Sequence, residues 1–318
     1  MVGHGTRHDR ATMPRMPSVH SLMTVHAHPD DETIATGGVM ARYSRAGHRV
    51  ICVTCTGGEH GEIVMPELDT PENHARLREL RDEELRRALE RLGPIDSRRL
   101  LYVDSGMMGS PENELPGNFW TADLDEAAGR LVRIVRETRP QVIVGYNAFG
   151  GYGHPDHIRA AQVAVLAFER AGDSAWYPEQ IANGLEPWQP LKRYESVFDM
   201  SRRMELAQLL QERGVQSWLT PPEDEPEDQK MAREALFAKM AAATGPKTTS
   251  VAVSEVIEAK QAALREHVTQ LAADHFFMAL SADDWRQFMP NEDFTLSESR
   301  VPIRIPEEDL FAGLPSEG

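Results

Sequence analysis

Two short clusters hold most of the side chains that could do chemistry: His26-Ala27-His28-Pro29-Asp30-Asp31-Glu32, and Gly150-Gly151-Tyr152-Gly153-His154-Pro155-Asp156-His157. Each sets imidazoles and carboxylates on either side of a proline, which stiffens the backbone that presents them. Two imidazoles and one carboxylate, here His28, Asp31 and His157, are a common ligand set for catalytic zinc with a fourth position left to water. The competing metal is non-haem ferrous iron, which takes the same trio as a facial set. Asp30 adjoins a ligand and cannot easily reach the same ion, so it is free to take a proton from the water as general base. His154, when protonated, would stabilise or protonate what leaves, and Tyr152 would donate to an oxyanion. The plainer alternative is that Asp30 or Asp31 only caps the following helix. Capping accounts for one acid and leaves a histidine and a second acid without a reason.

The elements that must position these groups follow from apolar periodicity. Strands are expected at Leu22–Ala27, Val50–Thr56, Leu100–Val103 and Gln141–Val144, with helices at Thr33–Ala46, Thr70–Leu92, Ala122–Arg139 and Pro155–Ala171. Short apolar runs separated by amphipathic helices mark a parallel sheet covered on both faces. The fold class is therefore α/β: a Rossmann-like, mostly parallel sheet with helices on both faces, plus a smaller C-terminal α+β part. Residues 1–20 read as a flexible leader, 21–175 as the Rossmann-like core, and 176–318 as a part that completes the substrate pocket. Both clusters fall at carboxyl ends of strands, the edge where open α/β sheets bind ligands. A nucleotide-binding version would need G-x-G-x-x-G after the first strand, and His28-Pro29-Asp30 stands there instead. In the C-terminal part, Val256–Gln270 reads as a helix that places His267 and Gln270 three apart on one face, with Gln270 in reach of substrate.

Composition narrows the partners. The chain has 318 residues, 41% hydrophobic and 26% charged, with a formal net charge of −16, so nucleic acid and anionic membranes are poor partners. No stretch approaches the roughly 20 apolar residues that span a bilayer, and no secretory signal is evident, which points to the cytoplasm. Cys52 and Cys55 form a C-x-x-C inside a β-branched strand, where positions i and i+3 face opposite sides; two core thiols are expected, not a redox pair. The partner expected is a small molecule, and the oligomeric state is open.

The pairing of Ala27-His28-Pro29-Asp30-Asp31-Glu32 with His154-Pro155-Asp156-His157 resembles the PIG-L/LmbE-like zinc N-deacetylases, over about Leu22 to Gly313. That resemblance implies zinc held by His28, Asp31 and His157, Asp30 as general base, and His154 and Tyr152 near the developing oxyanion. Within the family, Thr54-Cys55-Thr56-Gly57-Gly58-Glu59-His60-Gly61-Glu62, Asp104-Ser105-Gly106-Met107 and Gly150-Gly151-Tyr152 are similar to the branch that acts on glucosaminyl-inositol thiols. It implies that Arg81 and Asp104 hold sugar hydroxyls, with Met107 beside them. Lys260–Gln270, Phe276-Phe277, Ser299-Arg300-Val301-Pro302 and Leu310-Phe311-Ala312-Gly313 resemble mycothiol S-conjugate amidases more than N-acetylglucosaminyl-inositol deacetylases. The expectation is an amide hydrolase of N-acyl glucosamine conjugates, conjugate amidase-like first and deacetylase second.

Overall fold

The computed structural model describes residues 19–198, 203–215, 217 and 224–315. The expected leader, residues 1–20, lies outside them except for Val19 and His20. In chain order the strands are β1 (Ser21–His26), β2 (Arg49–Thr56), β3 (Asp96–Tyr102), β4 (Val142–Gly145), β5 (Lys192–Val197), β6 (Thr249–Ala252) and β7 (Asn291–Ser299). The helices are α1 (Asp31–Arg45), α2 (Pro71–Ala75), α3 (Leu77–Leu92), α4 (Leu124–Thr138), α5 (Pro155–Arg170), α6 (Pro178–Ala182), α7 (Arg203–Glu212), α8 (Glu227–Ala243), α9 (Ile257–Leu264), α10 (Phe276–Ala279) and α11 (Ala282–Phe288). None of the described helices is long and apolar enough to cross a membrane.

One seven-stranded sheet runs in the order β3-β2-β1-β4-β5-β7-β6. Its first five strands are parallel; β7 pairs antiparallel with β5, and β6 pairs antiparallel with β7 and so runs in the direction of the first five. The α/β class and the mostly parallel sheet are as the periodicity predicts. Alternation sorts the side chains: Leu22 and Cys52 enter one core with α1, α3 and α9, while Met23, Val25 and Cys55 enter the other with α4 and α5. The two thiols thus lie on opposite faces, both free and buried, and burial pushes Cys52 up to about 12.

Local chemistry sets the element ends. Gly93 closes α3 at φ 145°, Arg139 closes α4 in the left-handed region before Pro140, and Asp123 caps α4 by accepting from the Glu126 N–H. Two expected helices differ. The run Thr70–Leu92 is broken at Arg76 into α2, which buries nothing, and α3, whose Leu77 turns into the core. The run Val256–Gln270 stops at Leu264, because the chain tightens through Glu266 and His267 to bring a fully buried imidazole beneath α1. β5, β6 and β7 are polar and only partly buried, so they carry little of the apolar signal that marks β1 and β4.

β1 and β4 are neighbours, and the chain leaves them in opposite directions across the sheet: toward β2 on one side, toward β5 on the other. This is the topological switch point, where the loops after two adjacent parallel strands diverge and leave a crevice. The loops after β1 and β4 carry the two His-Pro-Asp clusters.

Candidate metal centre and its surroundings

Three atoms from the two loops face one another. His28 Nδ1 lies 3.4 Å from Asp31 Oδ2, His157 Nε2 lies 3.3 Å from the same oxygen, and the two nitrogens are 3.3 Å apart. A tetrahedral ion with bonds of about 2.0–2.1 Å to its donors needs donor–donor edges of ~3.4 Å. The triangle has those edges, and each corner carries an atom that can serve as a donor to a cation. Both tautomers are set from behind: His28 Nε2 meets Asp156 Oδ2 at 3.2 Å, and His157 bonds the Gly150 backbone with its other nitrogen. Burial works to lower the His28 pKa, yet the carboxylates of Asp104, Asp156 and Asp31 raise it well above an ordinary imidazole, so the position calls for positive charge. His157, also buried, is held near 4 and stays neutral.

Outer partners hold the triangle still. Asp156 is fully buried and accepts from the Ser105 N–H at 2.9 Å and from the Ser105 hydroxyl. The Tyr146 hydroxyl accepts from the Ala27 N–H at 3.0 Å and bonds the Asp31 carboxylate. Asp104 Oδ1 stands 3.6 Å from His28 Nε2 and accepts from the Gly106 N–H at 2.8 Å. Sequence reasoning assigned nothing to Asp156, Tyr146 or Ser105. Asp156 had a signal, lying between two histidines at the start of a helix; Ser105 lay in a stretch that carries the family resemblance, and Tyr146 had none.

Asp30 is the N-cap residue of α1 and yet its side chain caps nothing among the described residues. Its φ of 118° is left-handed territory for a residue with a side chain, a strain of about 1–3 kcal/mol that surrounding contacts must sustain. Burial, with the charges of Asp31 and Glu32, lifts its carboxyl to about 6 against the pull of Arg81 and His267. Arg81 is 3% exposed and donates to the Gly58 carbonyl at 2.8 Å, the Pro29 carbonyl at 2.7 Å and Asp30 Oδ2 at 3.3 Å. Gly58, at φ 68°, leaves the guanidinium its room: a Cβ there would stand 2.1 Å from an Arg81 nitrogen. Arg81, expected at the sugar, lies beneath the glycine loop and braces Asp30.

The other expected residues are scattered around the crevice. His154 caps α5, its Nδ1 accepting from the Asp156 N–H at 3.1 Å, which leaves Nε2–H as the donor of a neutral ring. Burial, with the neighbouring His28 and His157, lowers its pKa to about 4, so an imidazolium is not the form present. Tyr152 is partly exposed, its hydroxyl 3.4 Å from His157 Nε2. Met107 is exposed in the loop after β3. Gln270 is not helical; its side-chain amide donates to the Glu62 carbonyl at 3.0 Å and so touches the glycine loop.

A Rossmann-like sheet with a His-Asp-His triangle at its switch point defines an α/β protein with a candidate metal site. Residues 23–168 match the family model described as GlcNAc-PI de-N-acetylase. The chain is similar to a 1D-myo-inositol 2-acetamido-2-deoxy-alpha-D-glucopyranoside deacetylase of Catenulispora acidiphila, 42% identical over 92% of this chain and 89% of the relative. The same-named protein of Nocardiopsis dassonvillei is 42% identical over 92% of this chain and 100% of its own. This chain belongs to the PIG-L family of de-N-acetylases. In fold it is similar to an N,N'-diacetylchitobiose deacetylase from Pyrococcus horikoshii, at 19% identity and TM-score 0.58, covering 87% of this chain and 83% of that one. It is equally similar in fold to a 4-carboxy-2-hydroxymuconate hydratase from Pseudomonas putida, at 18% identity, TM-score 0.59 and coverage of 90% and 99%. A hydratase on the same fold shows that the fold alone does not define the reaction.

Proposed function

We propose that this protein is a metal-dependent deacetylase of N-acetylglucosaminyl-inositol, 1D-myo-inositol 2-acetamido-2-deoxy-alpha-D-glucopyranoside. The chemistry is supported by the triangle of His28, Asp31 and His157 with a strained, uncapping Asp30 beside it. The substrate is supported by relatives of that name, 42% identical over nine-tenths of the chain. They favour the deacetylase over the conjugate amidase that the C-terminal resemblances put first. Those resemblances rest largely on packing: Phe276, Phe277, Leu310 and Phe311 are core, and Lys260 is buried against Glu292. Residues that touch no substrate carry little information about it.

His28, Asp31 and His157 would hold the ion, zinc by preference and ferrous iron by the same donors. When bound, it lowers the pKa of water and polarises the acetyl carbonyl. Asp30 accepts a proton as water adds to the amide carbon, and a carboxyl near 6 is well matched to that task at neutral pH. The neutral His154 Nε2–H and the Tyr152 hydroxyl donate to the developing oxyanion. As the C–N bond breaks, Asp30 returns its proton to the amine nitrogen, giving acetate and free glucosaminyl-inositol. Arg81 keeps Asp30 in place throughout. Asp104, Met107 and Gln270 line the approach for the sugar and inositol.

The test incubates zinc-loaded and ferrous protein with N-acetylglucosaminyl-inositol and, separately, with a mycothiol S-conjugate, and measures free amine. Faster release from the acetyl substrate is expected. Turnover of the conjugate alone would reverse the assignment.

A further inference from the structure

Glu32 and His267 are 235 residues apart in sequence and both fully buried, so neither can touch a substrate. Yet one is bonded to the residue proposed as base. One oxygen of Glu32, Oε2, accepts from the Asp30 backbone N–H at 2.8 Å. The other, Oε1, accepts from His267 Nε2 at 3.0 Å and from the Thr33 hydroxyl at 2.5 Å. The carboxylate is a bridge from the strained turn to the C-terminal part. His267 Nδ1 has no partner among the described residues, so the ring meets its surroundings through the nitrogen that faces Glu32.

The turn that carries His267 reaches two more elements of the site. The Thr269 N–H and hydroxyl donate to Glu84 at 2.9 and 2.7 Å, on the same helix as Arg81 and three residues on. Gln270 donates to the Glu62 carbonyl of the glycine loop. Of these contacts, only that of His267 leads to the backbone of Asp30. A non-glycine residue at φ 118° persists only when its neighbours over-determine it, and the N–H of that residue is held by Glu32.

We propose that His267 is a positioning residue: by donating to Glu32 it fixes the carboxylate that holds the Asp30 backbone, and so aims the Asp30 side chain at the metal centre. The C-terminal part thereby sets the geometry of a group carried on the first strand's loop. This rests on Asp30 being the base, and the experiment has one arm that does not depend on turnover.

Two variants of similar volume separate donation from filling: His267→Gln, whose amide can donate, and His267→Met, which cannot. Hydrogen exchange of peptides covering 28–33 in the full-length protein is the first readout. Faster exchange there in His267→Met, by at least about tenfold, with near-normal exchange in His267→Gln, is expected. Equal exchange in wild type and His267→Met would overturn the proposal, whatever the substrate proves to be. Steady-state kinetics and bound zinc are the second readout. A kcat loss of about 10–100-fold in His267→Met at unchanged KM and zinc content, recovered by His267→Gln, is the expected pattern. Unchanged kcat, or zinc loss that parallels kcat, counts against positioning. An inactive wild type would sink the function and leave the exchange result to decide. Should His267→Met not fold, Glu32→Gln keeps the shape but has one amide oxygen, which cannot accept from both the Asp30 N–H and His267; loosened exchange at 28–33 is expected, and undisturbed exchange overturns the proposal.

Discussion

The two His-Pro-Asp turns sit side by side at the same sheet edge and do opposite things with the start of their helix. After β4, His154 occupies the N-cap position and caps, its Nδ1 taking the Asp156 N–H. After β1, Asp30 occupies the equivalent position and its carboxylate caps nothing; it turns away at φ 118° and meets Arg81. The N-cap preference of aspartate is ordinarily worth about 1 kcal/mol to a helix. Giving up that bond and adopting a strained backbone leaves a carboxylate with unused lone pairs beside the ligand triangle. The satisfied cap leaves His154 only its Nε2–H to offer, while the unsatisfied one leaves the Asp30 carboxylate turned away from the helix.

The largest effects should come from what the turns share. Asp31→Ala, from the first, and His157→Ala, from the second, should each abolish stoichiometric zinc and activity while the fold survives, measured by elemental analysis and circular dichroism. Full zinc occupancy in either would mean that the triangle is not the metal site. The turns should part company at their cap residues. Asp30→Asn should retain zinc and lose about 10²–10⁴-fold in kcat, the usual worth of a general base. Wild-type turnover in that variant would remove the reason given for the missing cap. Glu32 is no substitute, because its carboxylate is fully buried and already bonded to Asp30 and His267.

His154→Asn sharpens the contrast from the other side. Asparagine still caps, so thermal stability should stay within about 1 kcal/mol, while the lost donor lowers kcat by about 10²–10³-fold. A stability loss with undiminished kcat would make His154 a cap and nothing more. The smallest effect is on stability alone. Asp30→Gly removes a side chain from a left-handed position and should stabilise the fold by about 1 kcal/mol in denaturant titration while abolishing turnover. A less stable Asp30→Gly would show that the lost contact with buried Arg81 outweighs the strain relieved.

The candidate ligand residues and the sheet were legible because each depends on short-range order. Period-2 alternation placed Cys52 and Cys55 on opposite faces, and apolar runs broken by Gly and Pro gave the parallel strands. Parallel strands put their carboxyl ends at one edge, so His28, Asp31 and His157 were bound to meet once β1 and β4 became neighbours. Tertiary structure decided everything that depends on a partner far along the chain. It buried Arg81 under Gly58 and brought its guanidinium to Asp30, 51 residues earlier in the chain. It ended α9 at Leu264 although good helix formers continue, because a buried His267–Glu32 bond lies within reach only if the chain turns there. It also chose the tautomers, since the hydrogen bond made by one ring nitrogen determines which lone pair the other offers, and those partners come from Asp156 and Gly150. Residue types and periodicity act over a few positions, and sequence alone can read them. Which carboxylate meets which imidazole is set by packing helices against both faces of a twisted sheet, and only the folded chain contains that information.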